Sequence, residues 1–110
     1  MSTIYSLTSK LYRVIANNPS VTTLNFTNNI EIDTTEQASS PGFGTRMFLA
    51  NLSSNTLVAM AQLADTALAV GGQTTIQYQV VTSGTSPSGN PTYVAQIVSF
   101  AYNGKVIEAT

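Results

Sequence analysis

Apolar and polar positions alternate with a period of two along much of this chain. That spacing marks strands with one buried face, because successive strand side chains point to opposite sides of a sheet. It is cleanest over residues 74–81, where Ile76, Tyr78 and Val80 share one face and Gln77 and Gln79 the other. Over residues 21–33, Leu24, Phe26, Ile30 and Ile32 fall on one parity, against Asn25, Thr27, Asn29 and Glu31. Residues 46–52 read as a further strand. Residues 92–102 are apolar on both parities, which suits a strand lying centrally in a sheet. Asn103-Gly104 matches the two-residue hairpin turn whose central residues both need positive φ, so residues 105–109 are expected to return along the preceding strand.

Two segments are ambiguous. In residues 1–18, Leu7, Leu11, Val14 and Ile15 sit at helical spacing, while the β-branched and tyrosine content favours extended chain. This stretch reads as an arm or a short helix used in assembly, ended by Asn17-Asn18-Pro19. The segment TLVAMAQLADTALAV, residues 56–70, has the alanines and leucines of a helix with Gly71-Gly72 as its stop. The rival is a pair of strands joined near Ala64-Asp65, and the reading leans to strands. Residues 34–45 and 82–91, rich in Ser, Gly and Pro, read as loops. The sum is a mainly β chain: an antiparallel β-sandwich or small barrel of six to seven strands, with room for one short helix. Residues 1–110 suit a single domain.

Composition narrows the function. There is no cysteine and no histidine, which removes thiolate chemistry, Cys-ligated zinc and the commonest general base near neutral pH. Only 8 % of the residues are charged, against about 25 % in ordinary soluble domains. Ser, Thr, Asn and Gln supply 43 of the 110 residues, so solubility comes from neutral polar groups. Net charge usually keeps copies of a protein apart, and a near-neutral, hydroxyl-rich surface suits copies that lie against one another.

Candidate chemistry is sparse. Glu31, Asp33 and Glu36 form the one acidic cluster, with Glu31 and Asp33 on a shared strand face. A paired-carboxylate or calcium site fits that spacing, but a solvated strand edge explains it more simply. Ser and Thr nucleophiles need an adjacent base, and no such motif occurs. The expectation is a protein that is not an enzyme and holds no metal or cofactor. Lys10, Arg13 and Arg46 are the candidate nucleic-acid contacts, with Tyr5 and Tyr12 near the first two as stacking platforms. Their plainer role is as ordinary surface residues, since phosphate affinity needs several cations acting together. Phe43, in the Pro-Gly-Phe-Gly loop, is the candidate subunit contact, an apolar ring on a glycine hinge; a ring folded back over its own core is its plainer role.

In overall style the chain resembles small bacteriophage virion structural proteins of the coat or capsid-decoration type. The likeness is one of composition along the whole chain: a hydroxyl-rich, charge-poor β protein without Cys or His. It differs from single-stranded RNA phage coats, which end in two helices where this chain ends in a hairpin. The resemblance implies a self-assembling structural subunit whose partners are copies of itself and other capsid proteins. It also implies a virion location after synthesis in the host cytoplasm, since residues 1–20 show no signal-peptide pattern, and no membrane partner. Two other readings stand beside it: a β-sandwich binding module of adhesin or carbohydrate-binding type, and an RNA-binding coat protein.

Overall fold

The computed structural model describes residues 3–17, 28–38 and 44–109. Within them the alternating segments form seven strands: β1 (Tyr5–Ser9), β2 (Leu11–Ala16), β3 (Asn29–Ala38), β4 (Thr45–Asn51), β5 (Thr74–Thr85), β6 (Pro91–Tyr102) and β7 (Lys105–Glu108). One helix, α1 (Ser54–Val70), separates β4 from β5. The chain is mainly β, in one seven-stranded sheet of order β1-β5-β6-β4-β3-β2, with β7 paired to β6.

The two ends of that order are neighbours in sequence. Only Lys10 separates β1 from β2, so the sheet curls until its ends meet at this residue. Short polar side chains secure the corner. The Lys10 carbonyl accepts from the Thr35 backbone N–H at 3.0 Å, and Ser9 Oγ accepts from the Glu36 N–H at 3.1 Å. Thr74 Oγ1 donates to the Ser9 carbonyl at 2.8 Å. The end of β1 is thereby tied to β3 and β5 together.

This corrects the expectation for residues 1–18. Residues 5–16 are neither a helix nor a loose arm but two strands hydrogen-bonded into the sheet. The misleading helical spacing has a physical cause. A register shift between Leu11 and Arg13 moves the inward side chains from odd to even positions. Leu7, Leu11 and Val14, which all pack on the core, therefore fall four and three residues apart although every one sits on a strand.

Residues 54–70 also depart from the lean towards strands. Ser53 caps the helix, its Oγ accepting from the Thr56 N–H at 3.3 Å. Gly71 ends it at φ 68°, and the N–H of Gly72 closes on the Ala67 carbonyl at 3.0 Å. Such a left-handed stop is easiest for glycine. Leu57, Met60, Ala64 and Ala67 recur every three or four residues and are buried. They join one core with Ile30, Ile32, Phe48, Ile76, Tyr78, Ile97 and Phe100 from the sheet. The alanines let the helix lie close to the strands.

The sheet is not wholly antiparallel. β4 runs parallel to β6 at Phe48↔Ala95 and Leu49↔Gln96, and a parallel pair needs a long crossover, here supplied by α1 and β5. The expected loop at residues 82–91 is shorter than its composition suggested. β5 and β6 continue as a hairpin, leaving residues 86–90 to turn the chain. Asn103 (φ 52°) and Gly104 (φ 81°) make the predicted tight turn into β7. Among the described residues no helix is long and apolar enough to cross a membrane.

Candidate functional site

The face of the sheet turned away from α1 carries an ion cluster. The β2–β3 register sets Arg13 directly opposite Asp33, with Glu31 two residues away on the same side of β3. Arg13 Nε donates to Asp33 Oδ2 at 2.8 Å, and Nη2 lies 2.7 Å from the same oxygen. Nη2 also reaches Glu31 Oε2 at 3.2 Å. Hydrogen bonding to Asp33 and its negative charge, followed by the charge of Glu31, push the guanidinium pKa above its ordinary value.

These carboxylates are not the solvated edge that the sequence suggested. β3 lies between β2 and β4, and Glu31 and Asp33 are only 5 % and 8 % exposed. Ionised groups removed from water need a partner of opposite charge, and Arg13 provides it from a half-exposed position. Asp33 Oδ1 is buried with no hydrogen-bond partner among the described residues. Glu36 is exposed and stands apart from the other two, further along β3. Among the described residues no three acidic side chains come together as a metal site. What unites Arg13 with Glu31 and Asp33 is strand register, and linear spacing carried no signal of it.

Beside the cluster lies an open hollow of about 720 Å³, bordered by Tyr12, Arg13, Asp33, Thr35, Arg46 and Met47 among others. Arg46 is held at its rim by Nε, which donates to the Thr35 carbonyl at 3.3 Å. Arg13 and Arg46 therefore share this hollow, as a common nucleic-acid surface required. Lys10 instead borders an adjoining depression with Glu36. The two arginines in the hollow face two carboxylates, so the site carries no net positive charge to attract phosphate. Phe43 lies outside the described residues.

Three of the buried hydroxyls are engaged in building the sheet. Ser9 donates to the Lys10 carbonyl at 2.7 Å, Thr34 to the Glu36 carbonyl at 2.6 Å and Thr74 to the Ser9 carbonyl at 2.8 Å. Each satisfies a main-chain acceptor at a strand end, which is a structural role.

A second feature is the β5–β6 hairpin. Its inner half belongs to the core through Ile76, Tyr78, Ile97 and Phe100. Its outer half is largely exposed from Thr82 to Tyr93. Residues 66–104, which include the end of α1 and the whole hairpin, contain no charged side chain. No protein family, curated protein or solved structure matches this chain.

Proposed function

We propose that this protein is a non-catalytic structural subunit that assembles with copies of itself, as a coat or capsid-decoration protein of a bacteriophage particle. The observation that carries the reading is the uncharged run of residues 66–104, which folds into the end of α1 and the whole β5–β6 hairpin, whose outer half is largely exposed. Soluble proteins ordinarily scatter charges over such surfaces to stay apart. Here three of the few ionic side chains, Arg13, Glu31 and Asp33, are drawn together in a single cluster. That further thins the charge left to oppose association.

The particle context rests on the compositional likeness to small phage structural proteins. An RNA-binding coat is the weaker alternative, since Arg13 is already committed to two carboxylates and Lys10 lies apart from Arg46. Electron microscopy of the purified protein, with sedimentation velocity on the same sample, tests the proposal. Particles, sheets or a discrete large homo-oligomer are expected. A single 11.6 kDa species at high concentration, with no particle to which it binds, contradicts it.

A further inference from the structure

Among the described residues, β5 has a stretch of strand edge without the usual protection against pairing. β1 covers β5 only from Thr74 to Tyr78. Beyond that, among the described residues, β5 is paired with β6 on one side and with no strand on the other. Exposed edges offer unpaired N–H and C=O groups, and proteins commonly blunt them with charge, proline or a bulge. At the ends of the strand order, β1 and β2 flank Lys10, and β2 carries Arg13. Residues 79–82 (Gln79, Val80, Val81 and Thr82) have neither charge nor proline. The β5–β6 pairing shifts register on either side of them, between Gln77 and Tyr78 and between Thr82 and Gly84, and is regular within them.

We infer that residues 79–82 of β5 are the edge through which two copies of this chain pair, antiparallel about a two-fold axis, to extend the sheet from one subunit into the next. The inference rests on the self-assembly reading and names its contact. The partner is a second copy because of charge. Two-fold pairing sets a strand against itself, so any ionic side chain near the axis would meet its own like charge. A run without ions meets that condition over the whole hairpin. A foreign partner would impose no such requirement and could exploit opposite charges. Main-chain hydrogen bonds then supply the attraction, as in other strand additions, with Gln79 and Val81 projecting on one face and Val80 and Thr82 on the other.

The test is sedimentation velocity of Gln79→Lys and Thr82→Lys, with Val106→Lys as control. Val106 is exposed on β7, away from the edge. The inference expects both edge variants to lose the assembled species at concentrations where the wild type and the control keep it. Near-ultraviolet circular dichroism checks that each remains folded. Since the chain has no cysteine, Val81→Cys gives a second readout: it lies in the middle of the paired run, beside the two-fold axis, and on oxidation forms a disulfide-linked dimer. Edge variants that assemble like wild type, together with no crosslink from Val81→Cys, overturn this contact while leaving self-assembly standing. Loss of assembly in the control as well overturns its specificity. A wild type that never assembles removes both readings.

Discussion

Arg13 grips Asp33 by one oxygen: Nε at 2.8 Å and Nη2 at 2.7 Å both meet Oδ2, while Oδ1 is buried without a hydrogen-bond partner among the described residues. The arrangement differs from the two-oxygen fork that arginine usually makes with a carboxylate. It leaves Nη2 shared between Asp33 and Glu31. The cluster reconciles two acids on an interior strand, and it does so from outside, through a half-exposed cation.

Removing that cation takes away the positive charge held against two buried carboxylates, which costs far more than an exposed pair is worth. Arg13→Met is therefore expected to lower the urea midpoint of unfolding. Arg13→Lys is expected to fall between it and wild type, since an ammonium keeps the charge but cannot place two donors on one oxygen. Equilibrium denaturation of the three proteins reads the order directly.

Met60 is fully buried between α1 and the sheet. Met60→Ala leaves a void there and is expected to cost about 2–5 kcal/mol. The helix and strands should unfold together in one transition, observed alike by far-ultraviolet circular dichroism and tyrosine fluorescence.

The ends of α1 predict smaller losses of separate origin. Ser53→Ala removes the acceptor for the Thr56 N–H and is expected to cost about 1 kcal/mol. Gly71→Ala forces a Cβ into the left-handed region at φ 68°, again costing about 1 kcal/mol. Among the described residues nothing beyond its chain neighbours lies within 4 Å of the added carbon, so the second loss is backbone strain without a clash. Denaturant titration of the single and double variants should show near-additive effects, as the sites lie at opposite ends of the helix.

Much of the sheet was legible in the sequence because period two survives wherever a strand is regular. Ile76, Tyr78 and Val80 turn inward as the alternation requires, and Asn103-Gly104 turns the chain as its φ preferences dictate. Legibility failed where local irregularity or long-range pairing took over. The register shift after Leu11 disguised two strands as a helix. In α1, abundant alanine blurred the boundary between apolar and polar faces, and the useful signals were the cap at Ser53 and the stop at Gly71. The ion cluster was invisible because Arg13 meets Asp33 only through the register of β2 on β3, which the sequence did not specify. Glu31 and Asp33 consequently looked like a wet edge.

Tyr78 gives a prediction about alkaline pH. Its ring is fully buried, with Phe48 edge-on at a centroid distance of 5.1 Å. Burial, and then the charge of Tyr5, raise its phenol pKa above the ordinary 10.0. The fold thus favours the protonated phenol. This contribution is complete below the ordinary value and is lost as the pH climbs through the higher value of the folded state. Wild type should lose stability more steeply above about pH 10 than Tyr78→Phe, which has no proton to lose. Parallel denaturation curves for the two proteins across that range would contradict it.

Light scattering of the wild type over a concentration series, at low salt and at high salt, addresses self-association most directly. A contact free of ions resists screening, so the expected result is a mass many times 11.6 kDa that persists in high salt. A mass that stays at the monomer value throughout, or collapses to it when salt is added, contradicts assembly through an uncharged surface.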